Sequence, residues 1–181
     1  GQRCATIIAS DAPWAGQYSH RSRNDLTDVY EYNMAKISRT PDGEYVYDFS
    51  VIKRYIDLCF KYGIDRYIEV YGLCSIWQDD EYGFGKIAEN HPDAIKLRYK
   101  DLSDGCIKTI KDGKEIDAYI KSLHDFFISN GYIDKVLIVA DEPLDRNLYE
   151  RCVERLKTVA PKFIFSAAIN TTSHVEECKD Y

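Results

Sequence analysis

The sequence lacks the short motifs that identify common metal and phosphate sites. Its six cysteines contain no CxxC pair, which argues against a zinc ribbon, and its four histidines form no HxH, HxxxH or HExxH spacing. Neither GxGxxG nor GxxxxGK[ST] occurs, and no GxSxG elbow offers a serine nucleophile. We therefore expect no metal ion and no cofactor, and a metal-dependent hydrolase is disfavoured.

Long apolar runs and an excess of positive charge are missing as well. No stretch approaches the roughly 18 to 20 apolar residues of a membrane span, and the N-terminus lacks a basic region followed by an apolar core. A formal charge of -6 does not suit a surface that holds nucleic-acid phosphates. We expect no membrane and no nucleic-acid partner. The scattered cysteines favour free thiols and a cytoplasmic location, although a secreted protein whose signal peptide has been removed stays an alternative.

Aromatic residues are abundant, with 15 Tyr, 7 Phe and 2 Trp among 181 residues. Their rings suit both the hydrophobic core and the faces of sugars, and we expect most of them in the core. The apolar fraction of 45% supports one sizeable core. We predict a single domain over residues 1–181.

Strand patterns alternate with helix patterns along the chain. Apolar or alternating runs predict strands at residues 4–9, 32–39, 65–71, 135–140 and 162–170. Helical periodicity with stop signals predicts helices at residues 50–62, 115–129 and 144–159. The stretch 72–114 is predicted to be a loop that contains a small hairpin around residues 106–111. This order indicates an α/β fold with about five parallel strands, neighbours in chain order, and outer helices.

Two parallel architectures fit that order, a doubly wound sheet and a (β/α) TIM-type barrel. The barrel is favoured because polar residues such as Lys36, Glu69, Ser166 and Asn170 lie inside or at the ends of strands, as in a barrel whose upper layer lines a pocket. A complete barrel takes about 250 residues, so we expect a partial one. A second copy of the chain, in a homo-oligomer, is one way to cover its open sheet edges.

The acidic pair Asp141 and Glu142 follows directly on the apolar strand at 135–140. Ligand clefts of parallel α/β folds lie at this end of the strands, and neighbouring carboxylates favour one protonated and one ionised group. The pair is therefore a candidate catalytic acid and anion. The alternative is structural: Asp141 as a helix N-cap, Glu142 at the positive end of the helix dipole and Pro143 in the first turn.

Five further residues are candidates for substrate binding. Glu69 and Tyr71 alternate away from the predicted helix layer, and Glu69 has an ion pair with Lys36 or Arg39 as its structural alternative. The indoles of Trp14 and Trp77, in loops after strands, offer stacking platforms for a sugar but are also common loop-packing anchors. The amide of Asn170 ends the last predicted strand and is a candidate hydrogen-bonding group.

Three segments make the sequence resemble the catalytic region of glycoside hydrolase family 123. These are YNMAKISRTPDGEYVYDFSVIKRYIDLCFKYGI at Tyr32 to Ile64, IEVYGLCSIW at Ile68 to Trp77 and VLIVADEP at Val136 to Pro143. The first is the most specific, since it contains a strand, a PDG turn, a YDFS helix entry and a helix in order. The resemblance covers most of the chain, from about residue 4 to Asn170.

The resemblance implies a (β/α)-barrel enzyme similar to β-N-acetylgalactosaminidases, acting on a carbohydrate with retention of configuration. In this substrate-assisted mechanism the 2-acetamido oxygen of the sugar attacks the anomeric carbon, and no enzyme nucleophile is needed. Glu142 would be the general acid and later base, Asp141 would orient the acetamido group, and Trp77 and Tyr71 would be walls of the sugar pocket. The later strands that complete the pocket are absent from these 181 residues. We therefore expect the 181 residues alone to have little activity. A non-catalytic carbohydrate-binding or scaffold barrel is the alternative function.

Overall fold

The computed structural model describes residues 1–14, 29–77, 87–143 and 145–169. These contain eight strands and three α-helices: β1 Cys4–Ile8, β2 Lys36–Arg39, β3 Tyr45–Asp48, α1 Ser50–Lys61, β4 Tyr67–Tyr71, β5 Arg98–Asp101, β6 Ile107–Thr109, α2 Gly113–Ser129, β7 Val136–Asp141, α3 Arg146–Val159 and β8 Ile164–Ala168.

Four strands form a parallel sheet in the order β1-β4-β7-β8. Ala5 is opposite Ile68, Ile68 is opposite Val136, and Asp141 is opposite Ala168, so the carboxyl ends of the strands meet at one edge. The predicted α/β class and the predicted strands at 4–9, 65–71, 135–140 and 162–170 are confirmed by this sheet.

The other four strands form a separate sheet in the order β3-β2-β5-β6, and this corrects the prediction for residues 32–39. Only Lys36–Arg39 are a strand there, and β2 pairs antiparallel with β3 and parallel with β5 instead of joining the main sheet. The physical reason is the Thr40–Gly43 turn, where Gly43 has φ 89 and its N–H donates to the carbonyl of Thr40 at 2.9 Å. The chain therefore folds straight back onto β2.

In the part of the chain that the structure describes, the main sheet therefore has four parallel strands where about five were expected, with β1 and β8 at its edges. Within the described residues no closed barrel is formed. The hairpin expected near residues 106–111 exists, but its partner strand β5 was not predicted. It turns at Asp104 and Gly105, whose φ of 74 suits glycine.

The two faces of the parallel sheet differ sharply in burial. Ile7, Ile68 and Ile138 on one face are completely buried, and they join one apolar cluster with side chains of all three helices. On the other face Glu69 and Tyr71 are half-buried, and Ile164 is 52% exposed. One face thus carries the core, whereas the opposite face is only partly covered, with Val139 buried in its middle. We call this second face the open face.

Aromatic side chains join the second sheet to α2. Tyr47 of β3 contacts Phe49, in a stacked arrangement with centroids 6.4 Å apart, and Tyr119 of α2, edge to face at 5.6 Å. The buried hydroxyl of Tyr119 in turn donates to the carbonyl of Ala9, directly after β1, at 2.5 Å. These rings serve the core, as expected for most of the aromatic residues, and they fix the carboxyl end of β1 against α2.

Candidate active site

Asp141 is the last residue of β7, and its side chain lies on the open face of the sheet. It shares that face with Leu137 and Val139, whereas Val136 and Ile138 point into the core. The side chain is half-buried. Its position at the carboxyl edge of a parallel sheet is where α/β enzymes place reacting groups.

Two indoles bind Asp141 through different groups. Trp14 Nε1 donates to the carboxylate oxygen Oδ2 at 2.6 Å, and Trp77 Nε1 donates to the main-chain carbonyl at 2.8 Å. The two loops are also joined to each other, because the N–H of Trp77 donates to the carbonyl of Pro13 at 3.1 Å. Both the side chain and the backbone of Asp141 are therefore held by the loops that follow β1 and β4.

Glu142 leaves the strand in a different direction. Its φ of 47 is in the left-handed region, and its N–H donates to the carbonyl of Ala168 at 3.1 Å. Its side chain lines a cleft of about 300 Å³ between the loop after β4 and the start of α3. The lining residues are Ser75, Ile76, Trp77, Glu142, Asp145, Leu148 and Tyr149. Trp77 links the two acids. It lines the cleft beside Glu142, and its indole N–H donates to the main-chain carbonyl of Asp141.

The acidic pair does not cap the helix that follows it. The N-cap of α3 is Asp145, whose carboxylate accepts a hydrogen bond from the N–H of Leu148 at 2.9 Å. The helix starts at Arg146, two residues later than predicted, so neither Asp141 nor Glu142 lies in its first turn. The capping alternative for the pair is wrong, because Asp145 already performs that role.

Tyr71 and Glu69 lie on the same open face, at the end of β4. The ring of Tyr71 packs against Trp14 with centroids 5.7 Å apart. Burial, together with the nearby charges of Glu69 and Asp141, raises the pKa of Tyr71, so this hydroxyl stays protonated. Glu69 accepts a hydrogen bond from the hydroxyl of Thr6 on β1 at 3.1 Å.

The ion pair considered for Glu69 is not formed with either expected partner. Lys36 donates to the main-chain carbonyls of Tyr30 and Glu31, and Arg39 Nε donates to the carbonyl of Gly43 at 3.1 Å. Both belong to the second sheet rather than to the parallel sheet that was predicted to include them. The predicted ion pair of Glu69 is wrong because residues 32–39 were predicted to belong to the parallel sheet.

The structure thus brings Trp14, Tyr71, Trp77 and Asp141 into one connected group, with Glu142 beside it and Glu69 further along β4. Asn170 lies outside the described residues. The sequence did not single out Ser75, Asp145, Leu148 or Tyr149 as cleft residues. Their position in the loop after β4 and in the first turn after the acidic pair was the available signal.

Within the described part of the chain, no group of three or more His, Cys, Asp or Glu residues could hold a metal ion. The five cysteines in that part are free thiols. No helix among the same residues has the length and apolarity needed to cross a membrane.

The chain is similar to known proteins in its fold and in its sequence family. A solved structure of a family 123 glycoside hydrolase from Clostridium perfringens, analysed for glycolipid glycan hydrolysis, superposes with a TM-score of 0.65 at 14% identity. The match covers 93% of this chain and 27% of that one, so the chain spans about a quarter of the neighbour's length. No curated protein sequence matches the chain significantly. The family model of the glycoside hydrolase 123 catalytic domain matches residues 1–181, and the chain therefore belongs to glycoside hydrolase family 123.

Proposed function

We propose that this chain is part of the catalytic region of a glycoside hydrolase. Its substrates are glycans that carry an N-acetylhexosamine in a linkage like that of β-N-acetylgalactosaminides. The hydrolysis is substrate-assisted and retains the anomeric configuration. One observation carries the proposal: Asp141 and Glu142 are adjacent, yet they face different surroundings. Asp141 is held by two indole N–H groups, whereas Glu142 faces an open cleft and has no side-chain hydrogen-bond partner among the described residues. One acid is suited to positioning and the other to proton transfer.

Glu142 is the proposed general acid. A group that first donates a proton to the leaving oxygen and then accepts one from water must be reachable from solvent and free to reorient. The cleft of about 300 Å³ in front of Glu142 has the volume to admit part of a sugar. Because the substrate supplies its own nucleophile, no second carboxylate is required across the ring.

Asp141 is the proposed positioning anion for the 2-acetamido group. Its carboxylate can accept the amide N–H of that group, which turns the acetamido oxygen towards the anomeric carbon and stabilises the positive charge of the oxazolinium intermediate. The Trp14 indole fixes the carboxylate for this purpose. Trp14, Tyr71 and Trp77 are the proposed apolar walls of the pocket, with Glu69 and Asn170 as polar contacts to the sugar.

We further propose that the open face of the parallel sheet is the interior of a (β/α) barrel. A partial barrel leaves half-exposed side chains on that face, and it leaves edge strands such as β1 and β8, which have no further neighbour among the described residues. Further strands of the same polypeptide or a second copy of the chain would cover them.

The decisive experiment is a hydrolysis assay on the full-length protein encoded by the gene. Nitrophenyl β-N-acetylgalactosaminide and β-N-acetylglucosaminide are compared with the nitrophenyl β-galactoside, which lacks the acetamido group. We expect turnover of an acetamido sugar and none of the galactoside, with the β-anomer as the first product by NMR. The double variant Asp141→Asn/Glu142→Gln is the inactive control. Binding of these sugars without turnover would instead support the carbohydrate-binding alternative.

A further inference from the structure

A buried aspartate lies behind the loop that carries Trp77. Asp93 is 2% exposed, and its carboxylate accepts hydrogen bonds from the N–H of Ile76, with both oxygens at 3.2 Å, and from the N–H of Ala94 at 2.8 Å. The thiol of Cys152 on α3 donates to its Oδ2 at 3.5 Å. This carboxylate thus connects its own segment, helix α3 and the loop after β4.

The loop after β4 needs such an acceptor. Its residues Leu73, Cys74 and Ile76 are buried, and a buried backbone N–H without a partner is costly. Ser75 has φ 54, a left-handed conformation that persists only where the surroundings enforce it. Asp93 satisfies the N–H that directly follows this strained residue.

The same loop ends at the site. Trp77 follows Ile76, and it donates its indole N–H to the carbonyl of Asp141 and its main-chain N–H to the carbonyl of Pro13, next to Trp14. A displacement of the Ser75–Ile76 turn would therefore reach both indoles that hold Asp141. Asp93 is thus connected to Asp141 in three steps: the hydrogen bond to the N–H of Ile76, the peptide bond from Ile76 to Trp77, and the hydrogen bond from the Trp77 indole to Asp141.

We propose that Asp93 is a positioning residue of this site: its carboxylate fixes the turn at Ser75 and Ile76 and thereby sets the Trp77 indole against the carbonyl of Asp141. Asp93 does not touch the cleft, so it acts through Trp77. Its consequence for catalysis rests on the proposed function, whereas its effect on Trp77 does not.

The chain has two tryptophans, so the indole region of a ¹⁵N correlation spectrum contains two signals, assigned with Trp14→Phe and Trp77→Phe. The test variant is Asp93→Asn, which keeps the size of the side chain but turns an acceptor into an N–H₂ donor facing other donors. We expect the Trp77 indole signal to move away from its hydrogen-bonded position and its exchange with water to accelerate about tenfold or more.

The matched control is Asp101→Asn. Asp101 is also a buried aspartate, 7% exposed, that accepts a main-chain N–H, from Ser103 at 2.9 Å, but it lies in the β5–β6 hairpin. This control should leave both indole signals in place. A folded Asp93→Asn protein with an unchanged Trp77 signal would overturn the proposal.

A measurement on the unmodified chain decides the case if Asp93→Asn does not fold. The amide of Ile76 should exchange with deuterium at least about tenfold more slowly than an open loop amide, because Asp93 accepts its hydrogen bond. Exchange of this amide at the open-loop rate would refute the role of Asp93.

In the full-length enzyme Asp93→Asn should lower kcat/KM about tenfold. If the Trp77 signal shifts but the unmodified enzyme hydrolyses no acetamido sugar, the positioning role stands and the proposed function fails.

Discussion

Trp14 and Asp141 are 127 residues apart in sequence, and the indole Nε1 of the first donates to the carboxylate of the second at 2.6 Å. This bond joins the loop after β1 to the end of β7, on the open face of the parallel sheet. A donor that is fixed on a loop restricts the carboxylate to one orientation before any substrate arrives. Preorganisation of this kind is a main source of stabilisation in enzyme sites.

Removal of the Trp14 donor should therefore weaken catalysis more than folding. We expect Trp14→Phe to reduce kcat/KM of the full-length enzyme by about 10- to 100-fold, the usual range for a hydrogen bond to a charged group. The phenyl ring retains most of the contact with Tyr71. Steady-state kinetics check this, with the thermal midpoint as the measure of folding. A loss of stability that accounts for the whole loss of activity would contradict the positioning role.

The two acids should respond differently to the leaving group of the substrate. If Glu142 protonates the leaving oxygen, Glu142→Gln should slow substrates with poor leaving groups by about 10² to 10⁴ and activated aryl glycosides far less. If Asp141 holds the acetamido group, Asp141→Asn should slow both substrate types, because oxazoline formation precedes departure in either case. Rates with a nitrophenyl glycoside and with an alkyl glycoside or oligosaccharide measure the contrast. Equal and small losses for both variants would argue against catalysis by this pair.

Asp145, rather than the acidic pair, should control the stability of α3. Asp145→Ala removes the hydrogen bond to the N–H of Leu148 and should lower the free energy of unfolding by about 1 kcal/mol. Asp145→Asn, the matched control, should cost much less, because asparagine is as good an N-cap as aspartate. Denaturant unfolding of both variants gives the comparison. A loss for Asp145→Asn as large as that for Asp145→Ala would contradict the capping role of Asp145.

Two isoleucines test the difference between the faces of the sheet. Ile138 on β7 is completely buried, and Ile138→Ala should destabilise the chain by about 2 to 5 kcal/mol. Ile164 on β8 is 52% exposed on the opposite face, and Ile164→Ala should cost less than about 1 kcal/mol in these 181 residues. In the full-length protein the cost of Ile164→Ala should rise if further strands cover this face. An unchanged small cost there would contradict the proposed barrel interior.

His91 should make the stability depend on pH below neutrality. Burial lowers the pKa of His91 from its usual 6.5, and the positive charge of Arg155 lowers it further. The hydrogen bond with the backbone of Asp93 and the negative charge of Asp117 act in the opposite direction but are outweighed. The unfolded chain then binds a proton more readily than the folded one. The free energy of unfolding should fall as the pH drops below 6.5, by at most about 1.4 kcal/mol per pH unit for this group.

The variant His91→Asn isolates that contribution, because the asparagine oxygen can replace Nδ1 as acceptor for the N–H of Asp93. All other titrating groups are common to both proteins. Between pH 7 and pH 5 the free energy of unfolding should therefore fall less steeply with decreasing pH for His91→Asn than for the unmodified protein. Parallel curves for the two proteins would mean that His91 does not titrate differently on folding.

The sequence predicted the scaffold of the site better than its contacts. The strand that ends at Asp141 was recognisable because a run of apolar residues precedes two acids and a proline. The strand β3 was missed, although the alternation of Tyr45–Asp48 after a strong turn contained the signal for a hairpin. That omission led to the wrong placement of β2 in the parallel sheet.

The contacts of the acids could not be predicted, for a physical reason. Whether Trp14 and Trp77 bind Asp141 depends on side-chain directions in irregular loops that periodicity does not describe. The role of Asp93 was equally invisible, because an aspartate between loop residues normally indicates a solvated turn. Its burial follows only from the packing of α3 and the loop after β4 around it.

The left-handed φ of 47 at Glu142 places a residue with a side chain in a conformation that costs about 1 kcal/mol or more and that glycine adopts freely. Selection for folding alone would favour glycine at this position. A glycine there would be expected to make the chain more stable and to remove the acid from the cleft. The strand end therefore carries a residue that opposes the local preference of its own backbone, as expected if the proposed general acid is placed there at the expense of stability.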